Sequence, residues 1–470
     1  MPFTAATGDW SLKILSSGFE QSQMLTVSEP AHITGPLSWW HGPLDVERLA
    51  LGSVSLFVNA INAMDAQLLG GAYGRAEILA SQVAAAFGSM AHLRIAGEKT
   101  QGFAQHSGFY RCADGWIRTH ANYPHHEQRL LRAVGAGADT TLQAALIHHT
   151  AFQAQELIVG SGGVAAKVQT RKQWLESVSG KAAQEGHWAQ FTHHQGTGQQ
   201  SWTPDPQGNG PLSGLRVLDL TRVIAGPTAT RTLAAFGAQV LRIDGPFLPE
   251  LSAQHIDTGF GKRNTVLDIS SSAGKARMNQ LLEQADVLIC GYRSGSLSRL
   301  GFGTEALQLR YPNLIIAELN AWGHDGPWMG RRGFDSIVQA ACGIADIYQS
   351  EDGSPGALPV QALDHATGHG LAAAMVSLVQ ARAQTRRVGS VRFSLARTAE
   401  ALCAFGPPVD SVQEVDPPLL GRRPSAYGIL DYALTPFTVN GEPLDFRAAP
   451  PAYGQDQPIW LKRLRVELAN

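Results

Sequence analysis

From residue 215 onward the chain alternates short apolar runs with stretches of helical length. "LRVLDL" (215–220), "QVLRID" (239–244), "NTVLDI" (264–269), "DVLIC" (286–290) and "NLIIAEL" (313–319) predict strands. Helical patterns fall between and after them, at 228–237, 273–284, 296–309 and 335–344, and a longer apolar helix is predicted over 361–382. Strands separated by helix-length segments predict right-handed crossovers and a mainly parallel sheet.

Earlier in the chain the pattern is different. Residues 44–93 read as helices built on Ala, Leu and Val, with shorter helices at 127–134 and 172–190. One strand-like passage, "GFYRCADGWIRTHANY" (108–123), carries Asp114-Gly115, a hairpin-turn signal, between runs of aromatic and β-branched residues. "GTGQQSWTPDPQGNGPLSG" (196–214) is dense in Gly, Pro, Gln and Ser and reads as a linker. Periodicity fades after 403, and the Pro-rich stretch 404–470 predicts an extended tail over the rest. The expected organisation is therefore a helical region with a small α+β domain (1–195), a linker (196–214), a sheet domain (215–403) and a tail (404–470). No short internal repeat stands out.

Composition narrows the function. With 470 residues, 44% apolar and 16% charged, the chain can bury a sizeable core. A net charge of −2 supplies no overall field for nucleic acid or an acidic membrane, so an anionic ligand needs a local cationic cluster. Cys112, Cys290, Cys342 and Cys403 form no CxxC pair and read as buried thiols of a reducing compartment. No stretch approaches an uninterrupted membrane span and the first residues lack a signal-peptide pattern, so a cytoplasmic protein is expected. The histidine-rich stretches, with His120, His125 and His126 and then His193 and His194, lack metalloprotease spacing and have no nearby Cys; no metal site is expected. "GSGGVAAK" (160–167) lacks the GK[ST] ending of a phosphate loop and reads as a turn.

Strand, turn and helix at 215–237, with Asp244 ending the next strand, invite a dinucleotide site. The turn "TRVIAGPTATR" argues against it, because the glycines that let backbone close on a pyrophosphate are missing. Pro227 suits a first helical turn, where no N–H is required.

Five blocks in order, "PLSGLRVLDLTRVIAGPTATRTLAAFGAQVLRID", "GKRNTVLDIS", "ADVLICGYRSGSLSRLGFG", "YPNLIIAELNAWGHDGPWMGRRGFDSIVQAACG" and "PVQALDHATGHGLAAAMVSLVQAR", resemble the class III CoA-transferases. That family includes formyl-CoA and carnitine CoA-transferases and α-methylacyl-CoA racemase. The resemblance implies an α/β fold, a Rossmann-like mainly parallel sheet domain plus a smaller α+β domain. The order is rearranged: small-domain material at 95–195 precedes the sheet domain instead of following it. The resemblance further implies acyl-CoA and a small carboxylic acid as partners, coenzyme A as the only cofactor, no metal, and a homodimer of interlocked chains.

Carried over by residue, the family's covalent nucleophile falls on Asp364, which on residue type alone reads as an Asp helix cap. Thr367-Gly368-His369-Gly370 are expected to lend backbone N–H groups to oxyanions. For CoA, the resemblance points to Val223, Ile224 and Ala225 along the adenosine part and to Arg299 on phosphate. Arg242, Lys262 and Arg263 at strand ends are expected near the phosphates, and Tyr292 either stacks on adenine or packs. The racemases carry a His where this chain has Phe334, which cannot take a proton, so transfer is favoured over racemisation or isomerisation. His365 and His324 remain as acid or base candidates. A CoA-binding paralogue without catalysis is the other alternative.

Overall fold

The computed structural model describes residues 10–25, 31–197, 202–293, 295–408 and 411–462. Strands β1 (Gln190–Gln195), β2 (Arg216–Leu220), β3 (Gln239–Asp244), β4 (Arg263–Val266), β5 (Val287–Cys290), β6 (Ile315–Asn320) and β7 (Arg387–Ser394) form one sheet in the order β4-β3-β2-β5-β6-β7-β1. Every pair is parallel except β7 with β1. All four residues of β5 are buried, as a strand covered on both faces requires. The order reverses at β2, whose neighbours β3 and β5 lead to opposite edges. The turn after β2 therefore emerges at a topological switch point, where open α/β sheets place their ligands.

The helices that frame this turn are α1 (Val46–Leu68), α2 (Ala80–Phe87), α3 (Pro124–Val134), α4 (Ala225–Ala235), α5 (Asp335–Ala341), α6 (Ala362–Thr385) and α7 (Leu395–Ala404). Several predicted elements divide. The stretch 296–309 becomes a 3₁₀ turn, Ser298–Leu300, and a helix, Thr304–Arg310, because Gly301 adopts φ +87° between them. The stretch 172–190 becomes two short helices, each with its own cap: Thr170 and Ser177 accept N–H bonds at their starts. Strand Ala76–Leu79 interrupts the helices expected over 44–93. β7 has no sequence signal of its own, since only Arg386 at φ +60° separates it from α6. The hairpin around Asp114 forms as expected, one residue earlier, with Cys112 paired to Gly115.

The halves of the chain share a core. α1 lies against α6, and the main apolar cluster runs from Leu15 through Phe446. α1 is long and apolar enough to cross a bilayer, against the expectation that no stretch would be, and most of it is buried inside the fold. Within the expected linker, Trp202 and residues 210–212 are buried while Pro206 and Gln207 stay exposed, and the Trp202 indole N–H donates to the Ser213 carbonyl at 2.7 Å. The segment expected as an extended tail carries strands: the hairpin Leu420–Ser425 and Gly428–Ala433 pairs with Arg94–Ile95, and Phe437–Val439 pairs with Ala76–Leu79.

One repetition escapes a search for short repeats. α1, strand Ala76–Leu79 and α2 follow the same helix–strand–helix order as α6, β7 and α7. A Leu-Asp pair stands at the head of both long helices, Leu44-Asp45 just before α1 and Leu363-Asp364 in the first turn of α6.

The glycines of the "TGHG" stretch lie inside α6, where their N–H groups belong to the helix ladder; this corrects the expectation that they donate to an oxyanion. Their role is close approach. A Cβ at Gly368 would stand 2.6 Å from the Ala225 carbonyl oxygen of α4, and one at Gly370 would stand 2.3 Å from Trp188. Gly368→Ala is therefore expected to lower stability by about 1–3 kcal/mol in urea denaturation, although Ala is the better helix former.

Candidate active site

Asp364 is the third residue of α6, not its cap; Gln361 occupies the cap position and makes no side-chain bond there. Among the described residues no hydrogen bond reaches the Asp364 carboxylate. It lines a cavity of about 420 Å³ together with Val223, Ile224, Phe334 and His365. The opposite wall comes from the N-terminal half, where Phe87, Met90, Phe103 and His120 line the same cavity. The contrast with Asp45 is direct. That carboxylate caps α1, accepting from the Arg48 N–H at 2.9 Å and pairing with the Arg48 guanidinium at 3.1 Å.

The head of α6 is held by a second acid. Asp335 opens α5, is wholly buried, and accepts the Asp364 N–H at 2.9 Å on Oδ2 and the Gln339 amide at 2.5 Å on Oδ1. Gln339 in turn accepts the Leu358 N–H at 2.9 Å, fixing the loop that leads to α6. Burial, and then the proximity of Asp335, raise the Asp364 carboxyl well above the ordinary Asp range. Burial likewise raises Asp335. His365, next in the chain, is kept neutral by burial, and its Nδ1 has no partner among the described residues.

Val223 adopts φ +69°, a left-handed conformation that costs a β-branched residue about 1–2 kcal/mol. Its N–H donates to Glu250 Oε2 at 2.9 Å. The same carboxylate pairs with Arg242 at 2.8 Å, faces Arg222 at 3.7 Å, and accepts a short bond from the Tyr123 hydroxyl. Glu250 thus fixes the turn at the switch point and ties it to the N-terminal half. Burial alone would raise this carboxyl, but Arg242 and Arg222 hold it at about 2.

The remaining expected CoA contacts separate. Ala225 is buried as the first residue of α4. Arg242 and Lys262 require correction, since neither is open to a ligand. Arg242 is committed to Asp244 and Glu250, while Lys262 meets Asp219 at 3.2 Å and the Pro227 carbonyl at 2.8 Å. Arg263 is also committed, to Asp456 at 3.1 Å and to the Gln457 and Ile459 carbonyls, because residues 453–459 cover the edge strand β4. Tyr292 and His324 line a different cavity, of about 340 Å³. Arg299 is exposed beside Ser298, which lines that second cavity.

Sequence reading missed another cationic group. The guanidinium ends of Arg129 on α3 and Arg332 converge on Gly162, where an added Cβ would lie 3.2 and 3.4 Å from them. Burial, then Arg293 and Arg129, hold the Arg332 guanidinium below its usual range. Among the described residues none of the three has an acidic partner. Arg332 stands two residues before Phe334, which stacks on His120 at 3.7 Å with rings 10° apart. His125 and His126 pack in the same aromatic group, their rings 4.1 Å apart. Clustered arginines with no acid are the chemistry that holds phosphate.

Residues 212–427 match the family model described as CoA-transferase family III. The chain is 34% identical over 180 residues to the probable fatty acyl-CoA transferase Rv3272 of Mycobacterium tuberculosis, covering 36% of this chain and 46% of that protein. It is 33% identical over 187 residues to succinyl-CoA:glutarate CoA-transferase of Mus musculus, covering 36% and 43%. A crystal structure of Rv3272 aligns with TM-score 0.40 at 32% identity, over 42% of this chain and 59% of that one. The chain spans about half or less of the length of the curated relatives it matches first.

Glu250→Gln is expected to cost about 3 kcal/mol at neutral pH by removing one partner of a buried ion pair. Because the folded carboxyl titrates at about 2 against an ordinary 4.5, wild type holds its full advantage above pH 4.5. That advantage shrinks as pH falls toward 2, which urea midpoints measured across this window will reveal.

Proposed function

Residues 212–427 belong to CoA-transferase family III, and on that premise we propose that the chain moves CoA from an acyl-CoA to a small carboxylic acid through a covalent intermediate on Asp364. The observation that carries this reading is the Asp364 carboxylate, unbonded among the described residues and facing the same cavity as the Val223–Ile224 turn at the switch point. A carboxylate Oδ of Asp364 attacks the thioester carbonyl carbon, the C–S bond breaks, and CoA leaves as thiolate with an acyl-aspartyl anhydride in place. The thiolate attacks the aspartyl carbonyl carbon and releases the donor acid, giving an aspartyl-CoA thioester. The acceptor carboxylate then displaces the thiolate, forming its own anhydride with Asp364. Return of the thiolate to the acceptor carbonyl yields the new acyl-CoA and frees Asp364.

The cavity supports this order of events in two ways. Burial beside Asp335 leaves an ionised Asp364 poorly solvated, and such a carboxylate is a stronger nucleophile than one in water. Phe334 carries no proton-transferring group, which disfavours racemisation at the same centre. For the CoA phosphates we assign Arg129, Arg293 and Arg332, with exposed Arg299 as a further contact. A homodimer of interlocked chains in the cytoplasm belongs to the same reading. Since one chain lines the cavity from both halves, a monomer that transferred CoA would remove the dimer without touching Asp364.

Incubation with a panel of acyl-CoA thioesters, hydroxylamine trapping and mass spectrometry should reveal a hydroxamate on Asp364. Asp364→Asn should abolish adduct and transfer together; full transfer by this variant would overturn the proposal. The same substitution should raise Tm by about 1–2 °C at pH 8, since burial beside Asp335 disfavours the carboxylate and costs folding stability at every pH above the ordinary Asp range. The difference shrinks as pH falls below the raised Asp364 value and closes only below the ordinary Asp value of 3.8, where the unfolded chain is protonated as well. Arg332→Gln should raise KM for the thioester about tenfold, ~1.4 kcal/mol of binding, with kcat little changed.

A further inference from the structure

We infer that the Asp364 cavity selects acyl groups without a second charge, apolar monocarboxylic chains, and rejects dicarboxylic ones. This rests on Asp364 as the acyl carrier and deepens that reading. Among the described residues no Arg or Lys lines the cavity, and Asp364 is the only acid that does. The walls are Phe87, Met90, Phe103, Phe334 and Val360, while the polar groups, Asn122, Gln254 and Gln361 among them, are uncharged.

The histidines do not change this balance. His120 is fully desolvated, stacked on Phe334 and held down at about 3, and His365 is neutral for the same reason. The guanidinium of Arg118 lies 4.9 Å from the Phe103 ring, but the ring and not the cation lines the cavity. A second carboxylate on the acyl group would therefore enter an apolar space without a counter-ion, against the Asp364 anion and with Asp335 behind it. An apolar chain meets matching walls and displaces water from them.

The test compares octanoyl-CoA with succinyl-CoA in single-turnover acylation of Asp364, read by hydroxylamine trapping and mass spectrometry. Octanoyl-CoA should label at least tenfold faster. Met90→Arg, which adds a cation at a half-exposed lining position, should narrow that ratio at least tenfold by accelerating succinyl-CoA. Equal or faster labelling by succinyl-CoA with wild type would overturn the selectivity. Labelling by neither thioester would instead overturn Asp364 as carrier, so the two failures are distinct.

Discussion

The buried carboxylate of Glu250 is the contact on which the geometry of this molecule turns. It accepts the N–H of Val223, whose left-handed backbone would otherwise relax, and the hydroxyl of Tyr123 from the other half of the chain. Two arginines surround the same group. A carboxylate buried with this many donors resists protonation and rearrangement, because any partner that leaves exposes charge to a medium that cannot solvate it. The strained turn at the switch point is stable for that reason, and the N-terminal half is registered on the sheet by the same bond.

Asp364 illustrates the opposite arrangement of the same side chain. Where Glu250 has a full complement of donors, the Asp364 carboxylate has none among the described residues. Its backbone is fixed instead, through Asp335 and Gln339. Fixing the main chain while leaving the reactive oxygens unbonded keeps the group in place without stabilising its resting charge. The Leu-Asp pair at Leu44-Asp45 shows what the alternative looks like: a cap bond and an arginine, and no chemistry left for the acid.

Much of the sheet was legible because apolar runs and helix-length gaps repeat regularly from residue 215 to 320. Asp364 and the Val223–Ile224 turn were singled out by the resemblance, not by periodicity, and that they line one cavity is a product of tertiary structure. The errors have a common physical origin. Arg242, Lys262 and Arg263 sit at strand ends, but sequence cannot reveal that Glu250, Asp219 and Asp456 neutralise them from distant positions. β7 was hidden because a single residue separates it from α6, and the C-terminal strands because their partners lie more than 300 residues earlier. The arginines at Gly162 were invisible for the same reason: Arg129 and Arg332 meet only through tertiary structure.

The division of the cavity between the two halves has an evolutionary corollary. Phe87, Met90 and Phe103 belong to a segment that contains neither the acid nor the switch-point turn, so substitutions there reshape the ceiling without replacing Asp364 or Val223. Cargo preference can thus shift through single side chains of the ceiling while the acid and the turn keep their sequence.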